Sequence, residues 1–199
     1  MDENLIDIID LSLKFVGAIT AFILFIIGYK RYKKDQDWKI HEFVAKEIKE
    51  FYSDPQNSKA MMMLDWQARN IELFPWEGLP ENRYSFVTYD ILAGALVYHG
   101  NKPGGKFSRE EAVIRDIFDH FLSDLDRFYQ FIEAGLVNAG EFRPYLQYWI
   151  NKISGGLTPE LRRSMKEFIT MYEYAGVLKL FDEFGIRINE LPGEKLDNF

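Results

Sequence analysis

The stretch Leu11–Tyr29, LSLKFVGAITAFILFIIGY, decides the architecture of this chain, because nearly every residue in it is apolar. Its one charged residue is Lys14, and the run from Phe15 onward is uninterrupted. A helix of about 20 apolar residues is long enough to cross the hydrocarbon core of a bilayer. We therefore predict that this segment is a transmembrane helix rather than the core helix of a soluble domain.

The charges on either side of the stretch distinguish a retained anchor from a cleaved signal peptide. A signal peptide carries positive charge before its apolar run and a small-residue cleavage site after it. This chain has the reverse order, with acids before the run and bases after it: Asp2, Glu3, Asp7 and Asp10, then Lys30, Arg31, Lys33 and Lys34. Because basic flanks stay in the cytoplasm, we expect the N-terminus outside and the rest of the chain in the cytoplasm.

One face of the predicted span carries both charged and small residues. Asp10, Lys14, Gly17 and Ala21 follow one another at helical spacing. Charges within a span normally face protein or water, and a small-xxx-small pattern allows close helix contact. One interpretation is an oligomer or pore face. The other is that Lys14 extends outward and pairs with Asp10, while the small residues carry no function.

Composition limits what the remaining residues can do. Since 47% of the chain is hydrophobic, the part after the anchor can bury a core of its own. The net charge of −7 argues against a general nucleic-acid binder, and the lack of cysteine excludes disulfides and thiolate chemistry. The loop Gly100–Lys106, GNKPGGK, lacks the Ser or Thr that a P-loop needs next, and no histidine has metal-ligand spacing. We therefore predict no cofactor and no metal.

Hydrophobic periodicity and capping residues predict an all-α fold: one N-terminal transmembrane helix followed by a cytoplasmic helical-bundle domain. The anchor with its basic cluster covers residues 1–36, the domain 37–185, and a flexible tail 186–199. Asp37 is predicted to cap the first helix of the domain, and Ser108 with Glu111 forms a capping box for a long one. The predicted helices are 38–52, 58–74, 84–98, 108 to Gly135, 141–153, 158–175 and 177–184.

The long predicted helix contains the candidate catalytic residues. Arg115 and His120 form R-x-x-x-x-H, the motif spacing of HEPN-type ribonucleases, in which imidazole moves protons and guanidinium stabilises phosphate charge. Asp116 supplies the polar residue that often follows the arginine. The alternative is a solvated, salt-bridged helix face, because carboxylates lie within a turn of both residues and both fall off the apolar stripe.

The architecture as a whole resembles the membrane accessory protein of type VI-B CRISPR systems. The likeness consists of an acidic N-terminus, one span, a basic cluster, a helical domain and the Arg115/His120 motif. It implies a divergent HEPN-like motif and a membrane ring that assists antiviral defence. The stretches KAMMMLDW and FRPYLQYWI also resemble a widespread bacterial family of single-span membrane proteins, and that likeness implies no activity.

These features lead to three hypotheses about function. The first is a bacterial inner-membrane protein that self-associates through its span and acts as a membrane-permeabilising effector or accessory in antiviral defence. The second is a membrane-tethered, metal-independent HEPN-like ribonuclease, the only reading that makes the chain an enzyme and RNA a partner. The third is a tethered scaffold for a protein partner. The lipid bilayer is a partner in all three, and a homo-oligomer is expected in the first.

Overall fold

The computed structural model describes residues 3–186, with side chains from Leu13 onward except that of Pro103. Its chain divides into two compact units between Phe43 and Val44. Helix α1, Glu3–Ser53, contributes residues to both units. Asp37 lies inside α1, so the prediction that it caps a separate helix is wrong. Of the predicted tail, residues 187–199 lie outside the described part of the chain.

The predicted all-α class is confirmed, since the structure is 76% helical and residues 3–186 form seven α-helices and one small two-stranded sheet. One of those helices, α1, is long and apolar enough to cross a membrane, and none of the described residues buries its apolar stretch. The helices after α1 are α2 (Pro55–Asp65), α3 (Tyr89–Leu96), α4 (Arg109–Glu133), α5 (Ala139–Gly155), α6 (Pro159–Met171) and α7 (Ala175–Glu183).

Two predicted helices contain strands instead. Strand β1, Ala68–Glu72, pairs antiparallel with β2, Tyr84–Thr88, in a register that places Asn70 opposite Phe86. The predicted helix 58–74 ends at Asp65, because Trp66 has an extended backbone. The predicted helix 84–98 begins only at Tyr89, where the Thr88 hydroxyl accepts a hydrogen bond from the Ile91 amide. The β-branched and aromatic residues of YSFVT favour a strand.

The capping box of α4 is confirmed. The Ser108 hydroxyl accepts a hydrogen bond from the Glu111 amide, and the Glu111 carboxylate accepts one from the Ser108 amide. Gly135 follows the helix with a φ of 68°, a conformation that glycine adopts without strain. The apolar stripe of α4 is buried as its spacing predicts, apart from its last residue, which is half-buried; the stripe consists of Ile114, Phe118, Phe121, Leu125, Phe128 and Ile132. Both ends of the helix are therefore fixed by local sequence.

Aromatic side chains of α1 and α4 meet in the core of the domain. Phe51 is fully buried, and its ring centroid lies 5.7 Å from that of Phe121 and 5.3 Å from that of Phe128. Phe128 in turn lies 4.8 Å from Phe142 of α5. Rings at these separations contribute packing energy beyond the area that they bury. The last turns of α1 are thus part of the domain core.

Candidate functional site

The predicted oligomer face of the span is exposed along the part whose side chains are described. Lys14 and Ala21 are exposed, and a Cβ atom added to Gly17 would meet nothing within 4 Å. Asp10 lies within α1, but its side chain is outside the described set. The Thr20 hydroxyl donates to the Val16 carbonyl at 2.8 Å, which satisfies it inside an apolar environment. This surface is therefore open to a bilayer or to another helix.

Arg115 joins α4 to the C-terminal end of α3. Its Nη1 donates to the carbonyl oxygens of Ala95, at 2.5 Å, and of Val97, at 2.8 Å. The last carbonyls of a helix have no partner within the helix and carry partial negative charge, so they attract a cation. The guanidinium thus caps α3.

Aromatic rings cover the rest of the Arg115 guanidinium. Its central carbon lies 4.2 Å from the ring centroid of Phe107 and 4.9 Å from that of Phe168. Nη2 donates to the hydroxyl of Tyr172, whose ring is also within cation–π distance, at 5.3 Å. The expectation of a solvated position is therefore wrong for Arg115, which is partly buried.

His120 faces a different neighbour, the N-terminus of α2. Its Nε2 lies 3.3 Å from Oδ1 of Asp54, the residue that caps α2, and 3.7 Å from Oδ2 of Asp124. The side chain is 39% exposed. His120 thus lies beside two carboxylates on a partly exposed face of α4.

The two residues of the R-x-x-x-x-H motif therefore contact different elements. Five residues along a helix correspond to a rotation of about 140°, so Arg115 and His120 diverge unless the helix is distorted. Arg115 contacts α3 and the end of α6, whereas His120 contacts the N-terminus of α2. No described contact joins the two side chains. Their catalytic roles remain predictions.

The imidazole that does share a cluster with Arg115 belongs to His99. Its Nδ1 lies 2.9 Å from the Tyr172 hydroxyl, which also accepts a hydrogen bond from Arg115. The Tyr98 ring packs 4.2 Å from the imidazole. The Tyr172 hydroxyl thus connects the guanidinium of Arg115 to the imidazole of His99. No spacing in the sequence signals this cluster.

A second polar cluster surrounds His120. The amide of Asn57, which is fully buried, donates to Oδ2 of Asp124 at 2.6 Å. Arg127 lies 3.4 Å from Asp124 and 3.7 Å from Glu47, another buried residue. These contacts connect α1, α2 and α4. Within residues 13–186, no group of three or more His, Cys, Asp or Glu side chains has the arrangement to hold a metal ion.

The GNKPGGK loop is held by an ion pair at the start of α4. The ammonium of Lys102 lies 2.5 Å from Oε1 of Glu111 and 3.1 Å from the Gly94 carbonyl. Burial alone would raise the pKa of Glu111, but hydrogen bonds from Lys102 and the Ser108 amide, with the charges of Lys102 and Arg115, lower it. The lysine that a P-loop would present to phosphate is Lys106, which is exposed, and α3 precedes the loop where a P-loop needs a strand.

Comparison with family models, with curated proteins and with solved structures finds no match.

Further along α4, burial raises the pKa of the Tyr174 hydroxyl, and a hydrogen bond to the Asp119 carboxylate raises it further. Tyr174 therefore stays protonated at physiological pH and acts as a donor. Asp119 lies one turn from Arg115 on α4, but it accepts the hydrogen bond of Tyr174 and makes no described ion pair with Arg115. Asp119 and Asp126 of α4 thus both bind the chain at the start of α7, through the Tyr174 hydroxyl and the Gly176 amide.

Proposed function

We propose that this chain is a single-pass inner-membrane protein of a bacterium, which self-associates through α1 and holds a non-enzymatic helical domain in the cytoplasm. The observation that carries the proposal is the exposed apolar surface of α1. Large apolar side chains from Leu13 to Ile27 are between 37% and 69% exposed. A surface of this extent, which none of the described side chains from Leu13 to Ile186 covers, is typical of a segment that a bilayer surrounds.

Self-association through the span is supported by the small residues on one of its faces. Gly17 and Ala21 are one turn apart, and the space outside Gly17 is open. In lipid, close backbone approach supplies packing contacts that bulky side chains prevent. Two copies that meet along this face would also bring Lys14 away from the hydrocarbon.

The orientation is supported by charge. The basic residues that follow the span, Lys30, Arg31, Lys33 and Lys34, are all exposed. Such clusters are retained on the cytoplasmic side during insertion. The helical domain follows them in the chain and would therefore be cytoplasmic.

A non-enzymatic role is supported by the contacts of Arg115. A ribonuclease of the HEPN kind needs this guanidinium to bind phosphate. Here its donors are directed at the carbonyls of Ala95 and Val97 and at Tyr172, and exposing it to a substrate would break those hydrogen bonds. The domain would instead act by assembly, either as a membrane effector or accessory in antiviral defence, the role implied by the resemblance, or as a scaffold for a protein partner.

Substitutions on two faces of the span test the proposal. Gly17→Ile should force neighbouring helices apart and lower the oligomeric mass in mild detergent. Phe22→Ile places the same side chain on another face, about 140° away, and should leave the mass unchanged. Cross-linking in native membranes should likewise yield fewer oligomers for Gly17→Ile than for Phe22→Ile or the wild type. A wild-type chain that is monomeric both in detergent and in cross-linked membranes would refute self-association.

A further inference from the structure

A cavity that the proposed function does not use opens on the domain surface between α2, the segment after β1, and α4. Its volume is about 380 Å³. Buried side chains of Leu73 and Ile117 line it, together with Val113 and two prolines, Pro55 and Pro75. Small-molecule sites are concave and mostly apolar, with a few polar groups that orient the ligand, and this volume is within their range.

The indole of Trp76 lines the cavity and is held in place by its own neighbours. Trp76 is 64% exposed and packs against Phe74 at 5.7 Å, with the rings nearly perpendicular. Phe74 also carries the guanidinium of Arg109 4.2 Å from its ring centroid, and Arg109 forms an ion pair with Glu77. The indole N–H has no hydrogen-bond partner in residues 13–186. The cavity therefore has an aromatic side chain at its exposed edge with a donor that no described residue uses.

The charged residues of the cavity differ in whether they already have hydrogen-bond or ion-pair partners. Asp54 accepts hydrogen bonds from the amides of Gln56 and Asn57 and lies beside His120. Lys59 and Asp116 also line the cavity, but within the described part of the chain neither makes an ion pair or hydrogen bond, including with the other. Of the three charged residues that line the cavity, Lys59 and Asp116 are thus a cation and an anion without a partner in the described part of the chain.

We infer that this cavity binds a small zwitterion with an apolar side chain, that is, a free amino acid of the leucine type. Its ammonium would pair with Asp116, its carboxylate with Lys59 and the Trp76 N–H, and its side chain would contact Leu73, Val113 and Ile117. A ligand with a single positive charge would be attracted by Asp116 and repelled by Lys59. Only a ligand with both charges matches both residues, and its apolar body removes the floor of the cavity from water.

Three probes that share one apolar skeleton test this inference by calorimetry on the full chain in detergent micelles. They are L-leucine, 3-methylbutylamine, which lacks the carboxylate, and 4-methylpentanoate, which lacks the ammonium. Leucine should bind at least about tenfold more tightly than either, the difference expected for one charged hydrogen bond. Lys59→Gln should lower leucine affinity to that of the amine, and Asp116→Asn should lower it to that of the acid.

Two control variants and one NMR signal test whether leucine binds in this cavity. Lys49→Gln and Asp182→Asn make the same changes at exposed positions that do not line the cavity, and both should leave leucine binding unchanged. The indole NMR signal of Trp76, assigned with Trp76→Phe, should shift on addition of leucine. Equal affinity for leucine and the amine, unchanged affinity in both cavity variants, or no leucine binding up to about 10 mM would overturn the inference.

Discussion

The guanidinium of Arg115 donates a hydrogen bond to the hydroxyl of Tyr172, so a residue of α4 is tied to the residue that ends α6. The same guanidinium caps α3 through the carbonyls of Ala95 and Val97. One side chain thus holds three helices together. Its partners are two backbone carbonyls and one tyrosine, and none of them is a carboxylate.

Arg115→Ala should destabilise the domain far more than His120→Ala. The first variant removes hydrogen bonds from a charged, partly buried group and leaves the α3 carbonyls unmatched, a loss of about 2–4 kcal/mol. The second removes a partly exposed partner of Asp54, worth about 1 kcal/mol or less. Thermal unfolding followed by circular dichroism compares the two. Equal midpoints would mean that the Arg115 contacts do not contribute to stability.

Glu111→Gln should destabilise the domain at neutral pH and lose that effect in acid. Because the pKa of Glu111 in the folded state is below its usual 4.5, its carboxylate contributes stability above that value, and the contribution is lost as pH falls through the folded pKa. Glutamine can still accept the Ser108 amide, so the change isolates the ion pair with Lys102. We expect a loss of about 1–3 kcal/mol at pH 7.

Unfolding midpoints of the wild type and Glu111→Gln across pH 7 to pH 3 provide the measurement. Glu160→Gln, at the exposed N-terminus of α6, is the matched control and should change the midpoint little. A Glu111→Gln deficit that stays constant down to pH 3 would show that the carboxylate charge is not what stabilises this helix start.

Gly135→Ala should destabilise the end of α4, because an alanine at a φ of 68° is strained by about 1 kcal/mol. Gly140→Ala provides the opposite case. Gly140 lies in the first turn of α5, its φ is not positive, and a Cβ there would meet nothing within 4 Å. That variant should stabilise by up to about 1 kcal/mol. Chemical denaturation measures both, and shifts in the same direction would contradict this account.

A reporter fused to the C-terminus should be located in the cytoplasm. The expectation comes from the basic cluster that begins at Lys30 and from the acids before the span. Paired fusions to a reporter that is active only in the periplasm and to one that is active only in the cytoplasm measure the topology. Activity of the periplasmic reporter alone would reverse the orientation and remove every cytoplasmic role proposed for the domain.

Elements fixed by local sequence were predictable, and elements fixed by distant pairing were not. The long apolar helix α1 depends on consecutive apolar residues, and the start of α4 depends on the Ser108–Glu111 capping box, whose two residues are three apart in the chain. The β1–β2 ribbon depends on partners in a second segment, and Ile71 fits the apolar face of a helix as well as the inner face of a strand. Periodicity over one segment therefore could not distinguish the two.

The candidate site shows the same division. The spacing of Arg115 and His120 is a local pattern, but what each side chain contacts depends on where α3, α6 and α2 pack. Arg115 binds backbone carbonyls, and because every residue has one, the sequence does not indicate which carbonyls will be its partners. His99 joins the same cluster through its contact with Tyr172, and α4, α5 and α6 separate these two residues in the sequence.

Because Phe51 packs against Phe128, this core contact cannot form until both residues have been synthesised. Phe51 leaves the ribosome before α2, the ribbon, α3 and most of α4, and only then does its ring partner emerge. At about 5–20 residues per second, this interval lasts several seconds. During that time, Phe51 and the apolar residues beside it at the end of α1 lack the partners that bury them in the folded domain. Chaperone binding to the nascent chain in this interval would shield these apolar side chains until their partners emerge.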